Sequence, residues 1–178
     1  MSGDPSAGTE HMKFIENLLR PLALTTLRVV VGVVMLTHGW QKLSDMQSWI
    51  GSVDGYGIPS PELMAWLSMA AEFFGGLLLV LGLLTPLAGL AIFINMLVAI
   101  FVVHAGQGLL AQDGGFELPL TLGVVALYFV FRGSGPLGLD ALLFRKRAEA
   151  RRQRELAREQ KQKQKEARRP MRPAEVAG

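Results

Sequence analysis

The chain has 178 residues, half of them hydrophobic, with 18 Lys/Arg against 15 Asp/Glu and no cysteine. Without thiols it has no disulfide staples, iron–sulfur clusters, thiolate zinc sites or thiol relays, so redox chemistry would need a bound cofactor or a partner. Charge is unevenly spread: residues 1–144 carry five Lys/Arg against ten Asp/Glu (−5), and residues 145–178 carry thirteen against five (+8), an asymmetry that points to membrane topology or an acidic surface partner.

Residues 1–12 are polar, lack a basic n-region and precede no cleavage site, so they read as an unstructured leader within a polar segment 1–20. The first apolar run covers residues 21–43, long enough for a membrane core that takes about 20 residues to cross. Residues 44–61 are too polar to span and are expected to hold a short interfacial helix near Trp49, with Trp40 and Tyr56 as aromatic anchors. Ser60-Pro61-Glu62 then supplies an N-cap, an N1 proline and an acid at the positive end of a second span, residues 62–84. Thr85-Pro86 turns tightly into a third span, 87–105, and a glycine-rich loop leads to a shorter fourth, 116–132. The runs 77–84 and 96–103 have no polar face, which a soluble helical bundle would need. The expected fold class is therefore all-α: an integral membrane four-helix bundle of residues 21–144 with a basic cytoplasmic C-terminal helix or tail, 145–178.

An even number of spans puts both termini on one side. That side carries Lys13, Arg20, Arg132 and the tail, whereas the opposite loops carry only Lys42 beside Asp45, Asp54, Glu62 and Asp113. The positive-inside rule places both termini in the cytoplasm.

Every span holds a costly group: Arg28, His38 and Lys42 in the first, Glu72 in the second, Asn95 and His104 in the third, Glu117 in the fourth. A charge at a helix centre costs about 2.5–3.5 kcal/mol on insertion scales, so such residues turn inward and find partners. Helix rise puts Glu72 about 15 Å below the outer start of its span and Arg28 roughly 20–22 Å below the outer end of its own. Snorkelling covers the difference, and a buried Arg28–Glu72 ion pair joining the first two spans is expected. His38, Lys42, His104 and Glu117 fall near the outer ends of their helices, with His38 and Lys42 sharing a face. Together with Arg28 and Glu72 they are the candidate ligand-binding set, suited to a polar headgroup such as a quinone ring, with His38 or Glu117 moving protons outward. Plain interfacial anchoring, polar helix ends meeting headgroups and water, is the leading alternative for the outer four. Two imidazoles on different spans also raise bis-histidine haem ligation, the lesser reading, and no spacing suggests a metal site. Ala71-x-x-x-Gly75, with Gly76 beside it, lets a neighbouring backbone approach Glu72.

Arg28, then His38-Gly39-x-x-Lys42, Gly57-Ile58-Pro59, Glu72-x-x-Gly75-Gly76-Leu77-Leu78-Leu79-x-x-Gly82-x-x-Thr85, Gly114-Gly115-x-Glu117 and Gly133-x-Gly135-Pro136-x-Gly138-Leu139-Asp140 follow one another in order. This set, over about residues 28–140, resembles the DoxX family of small bacterial membrane proteins. The resemblance implies four transmembrane helices, a bacterial inner-membrane location and kinship with the DoxD-type subunit of archaeal thiosulfate:quinone oxidoreductase. Arg28, His38, Lys42, Glu72 and Glu117 match its motif positions; His104, Asn95 and the long basic tail lie outside them.

The tail run 145–169 is rich in helix formers and lacks an apolar stripe, which disfavours a coiled coil. It suits anionic lipid headgroups, and without aromatic residues it gives no basis for specific nucleic-acid recognition. Two functions fit: a quinone- or redox-linked membrane subunit served by a soluble partner, or a non-catalytic scaffold or carrier of a small lipophile. Besides the lipid bilayer, a second copy of the chain stands as a further partner.

Overall fold

The computed structural model describes the backbone of residues 5–143 and of 153, 154, 156–158, 160 and 161, with side chains from Ile15 onward. Among these residues all regular structure is helical. Helix α1 runs over Pro5–Ser44. The leader was expected to be unstructured through residue 12. It is instead helical from Pro5, where proline suits a first helical turn and Ala7, Glu10 and Met12 favour continuation. Pro21 lies inside α1, and its carbonyl accepts the Thr25 hydroxyl at 2.8 Å.

The expected short helix near Trp49 is α2, Met46–Gly55, capped by Asp45, whose side chain accepts from Ser48 N at 3.1 Å. Trp40 and Tyr56 are exposed, as anchors would be, whereas Trp49 is half-buried. Helix α3, Pro61–Leu81, begins differently from expectation: Ser60 is left-handed and its hydroxyl makes no cap. Pro61 removes one orphan donor, and the Ser60 carbonyl accepts Met64 N at 3.1 Å. The helix closes on left-handed Gly82, with Leu83 N donating to Leu78 O at 3.0 Å.

Helix α4, Thr85–Val98, continues as a π turn over Ala99–Val103. Its first residues are capped from far away in sequence: Asp140 Oδ1 accepts Leu84 N at 2.8 Å and Oδ2 accepts Thr85 N at 2.9 Å. Asp140 N itself donates to Gly82 O at 2.9 Å, locking the C-terminal motif onto the α3–α4 turn. Asp140→Ala is expected to cost about 2 kcal/mol, since the buried N–H of Thr85 and the part-buried N–H of Leu84 lose a charged acceptor. A lowered thermal midpoint in detergent, followed by circular dichroism and partly restored in Asp140→Asn, is the readout; an unchanged midpoint would refute the cap. Helix α5, Glu117–Arg132, completes the series.

α1 packs against α3, α3 against α4 and α4 against α5. The α1–α3 seam is backbone on backbone. A Cβ on Gly39 would fall 2.3 Å from Phe73 N, one on Gly76 2.5 Å from Leu36 N, and one on Gly32 2.9 Å from Val80 N. The close approach expected of Gly75 and Gly76 thus belongs to Gly76, while Gly75 faces Ile92 of α4. The core joins Val31 and Met35, Leu79, Ile92 and Met96, and Ala126 and Phe129 across these helices. Polarity is inverted relative to a soluble domain: Arg28 and Glu72 are buried, while Phe74, Leu87, Phe101 and Phe131 face outward.

Among the described residues three helices are long and apolar enough to cross a membrane: Ile15–Ser44, Pro61–Leu81 and Thr85–Val103. At 16 residues α5 is shorter. A second unit, Leu142–Gly178, contains the basic tail. Its described positions at Gln153, Arg154, Leu156, Ala157, Arg158, Gln160 and Lys161 are helical and exposed, and most of the expected lipid-binding run lies outside the described residues.

Candidate functional site

Glu72 is the centre of the polar interior, and its partner is Lys42 rather than Arg28. Lys42 Nζ donates to Glu72 Oε1 at 2.5 Å and to Ser68 Oγ at 3.0 Å, and Asn95 Nδ2 donates to the same Oε1 at 2.8 Å. The Lys42 ammonium also lies 4.2 Å from the centre of the Trp49 ring, a cation–π contact brought by α2. Four helices therefore contribute: α1 the ammonium, α2 the indole, α3 the carboxylate and hydroxyl, α4 the amide.

Arg28 sits at the other end of α3. Its Nη1 donates to Leu79 O at 2.8 Å and Val80 O at 3.4 Å. It thus satisfies carbonyls at the negative end of a helix dipole, a structural task. Gly82 makes room for it, because a Cβ there would lie 1.9 Å from Nη1. The expected Arg28–Glu72 pair fails because antiparallel register, and not depth alone, decides which side chains meet.

A cavity of about 540 Å³ lies against this cluster, between α2, α3 and α4. Lys42, Glu72 and Asn95 form its polar patch, and the rest of the wall is almost wholly apolar. Leu67, Phe74, Leu87 and Ile94 line it and are themselves more than half exposed, so the cavity merges with the outward apolar surface. A second cavity, about 290 Å³, shares Lys42, Trp49 and Glu72 and adds His38 and His104. A third, about 350 Å³, joins His38, Lys42 and Trp49 to Asp45 and Ser48.

Of the six candidates, His38, Lys42, Glu72 and His104 thus surround one space, while Arg28 and Glu117 stand apart. His104 is held by Nδ1 against Gly114 O at 2.5 Å, and His38 is exposed. Glu117 opens α5 and lines none of these three cavities, although Leu118 and Pro119 beside it line the second. Ser68, Trp49 and Asn95 were not among the candidates. Ser68 stands four residues before Glu72, the one polar side chain on that stretch of the same helical face, which is the signal that could have found it.

The arrangement can hold a lipophilic molecule of modest size by one polar end, in the volume range usual for ligand pockets. Glu72 Oε2 and Trp49 Nε1 are both buried without a hydrogen-bond partner, so the site has spare acceptor and donor capacity. A quinone headgroup offers a carbonyl that can accept from Trp49 Nε1, and its reduced form adds a proton that Glu72 Oε2 can accept. His38 and His104 share a cavity, and the contact of His104 with Gly114 O occupies only its Nδ1.

A DoxX family profile matches residues 23–105, the stretch that holds Lys42, Glu72 and Asn95. A protein of Haemophilus influenzae described as uncharacterized is 36% identical over 132 residues, covering 71% of this chain and 95% of that protein. The Bacillus subtilis protein named "Putative oxidoreductase CatD" is 29% identical over 119 residues, covering 67% of this chain and 85% of that one. An uncharacterized membrane protein of Mycobacterium tuberculosis is 31% identical over 146 residues, covering 73% and 86% respectively. No solved structure matches the chain. The ordered motifs, the outward apolar helices and these relatives agree: the chain is a multi-pass membrane protein belonging to the DoxX family.

Proposed function

We propose that this DoxX protein is a quinone-linked subunit of the bacterial inner membrane, holding a quinone headgroup beside Lys42–Glu72 for a soluble redox partner. α1, α3, α4 and the shorter α5 serve as four spans, with both termini and the basic tail in the cytoplasm, where anionic lipid headgroups attract the tail. The observation that carries the reading is the ion-paired, half-satisfied carboxylate of Glu72 set against an apolar cavity that merges with the lipid-facing surface. The relative named as an oxidoreductase adds support at family level.

A bound quinone supplies the electron-carrying chemistry, and this chain supplies binding and proton handling. Lys42 and Asn95 fix Oε1, Trp49 covers the ammonium, and the two smaller cavities lead past His38 towards the α2 end of the protein. His38 is exposed and is the group suited to exchange a proton with solvent there.

Organic extraction and mass spectrometry of gently solubilised protein should find co-purified quinone, and Glu72→Gln should lower its occupancy about tenfold or more. Retained helical circular dichroism in that variant separates lost binding from lost fold. A stable wild-type preparation free of quinone would sink this reading. It would favour a scaffold or a carrier of another lipophile, which the same cavity also suits.

A further inference from the structure

The unpartnered atoms of the site specify what a ligand's polar end must offer. Oε1 of Glu72 already takes two donors, Lys42 Nζ and Asn95 Nδ2, as an ionised carboxylate does, while Oε2 is buried with none. The Glu72 side chain is only 6% exposed, so bulk water is a poor substitute. On the facing helix, Trp49 Nε1 is a buried donor with no acceptor. Both residues line the 540 Å³ and the 290 Å³ cavities.

An oxidised quinone carbonyl only accepts, so it can satisfy Trp49 Nε1 but leaves Oε2 bare. A hydroxyl both donates and accepts, so its proton can serve Oε2, which no carbonyl can, while its oxygen remains able to accept from a donor such as Trp49 Nε1. The geometry points to an aryl hydroxyl on a lipophilic body, a hydroquinone or phenol, as the preferred occupant, entering sideways from the lipid between α3 and α4. This rests on the quinone-linked reading and sharpens it: the site selects the reduced form. Lateral entry follows from the wall itself, since Leu67, Phe74, Leu87 and Ile94 belong both to the cavity and to the outward surface.

The test compares three probes on the full chain in lipid nanodiscs: a short-chain hydroquinone kept reduced under anaerobic conditions, its quinone, and its dimethyl ether. Equilibrium dialysis against protein-loaded and empty nanodiscs, with the bound probe quantified by mass spectrometry, reports binding independently of Trp49. The hydroquinone is expected to bind about tenfold more tightly than either other probe, the scale of one hydrogen bond to a charged group. Glu72→Gln, which places an amide where the free oxygen stood, should abolish that advantage. Trp49→Phe, which leaves the Lys42–Glu72 pair intact, should weaken hydroquinone and quinone alike by several-fold. A native-chain preference below about threefold, or tighter binding of the quinone, overturns the selectivity while leaving the quinone-linked reading in place. Failure of all three probes to bind overturns both.

Discussion

Lys42→Met and Glu72→Leu are each expected to destabilise the protein by about 3–5 kcal/mol, because each leaves the other charge buried and alone. The pair is 16% and 6% exposed at its two side chains, so solvent offers little relief to the survivor. The double substitution Lys42→Met/Glu72→Leu should be more stable than either single one, since it removes both charges together and leaves only the amide of Asn95 and the hydroxyl of Ser68 to find new partners. Unfolding in mixed detergent, followed by circular dichroism, measures all three. The same cycle run on Arg28→Met and Glu72→Leu should be additive, because the partners of Arg28 are carbonyls of α3. Additivity in the Lys42–Glu72 cycle, or strong coupling in the Arg28–Glu72 cycle, would contradict the assignment.

Gly39→Ala should be nearly as damaging, at about 3 kcal/mol, although it adds a single methyl group. The new carbon would stand 2.3 Å from Phe73 N and 2.6 Å from Phe73 Cα, both main-chain atoms that no rotamer change can move. α1 and α3 would have to part along their whole contact, and Lys42, one turn further along α1, would be drawn away from Glu72. Gly51→Ala is the matched control. It lies inside α2 with nothing within 4 Å of the added carbon, so it should be neutral or stabilising by up to about 1 kcal/mol. If the two variants melt at the same temperature, the main-chain seam is not what joins α1 to α3.

Hydropathy made the long helices legible because lipid admits little else, and the order of glycine and charged motifs identified the family. Pairing was harder to read. Depth counted from the ends of apolar runs set Arg28 nearest Glu72, but Gly39 lies against Phe73, Leu36 against Gly76 and Gly32 against Val80. Continued in both directions, that register puts Lys42 between Ser68 and Glu72, and puts Arg28 beside Gly82, where the two arms of the α3–α4 turn meet. A single sequence carries no register, because it is decided by which backbones can touch. For the same reason Asp140 was visible only as the end of a motif. Its task, capping a helix that begins 55 residues earlier, depends on a contact no local pattern encodes. The left-handed turns at Ser60 and Leu84 are tertiary in origin too, since neither residue type favours that conformation.

The seams of the protein differ in stiffness. α1 and α3 meet main chain to main chain and have no slack to slide. α4 is pinned at its first residues by Asp140 and ends in the over-wide turn of Ala99–Val103, which borders the 540 Å³ and 290 Å³ cavities. The carboxylate and ammonium of the site are therefore mounted on the tightly joined pair α1 and α3, and α4 contributes only the amide of Asn95 to that cluster.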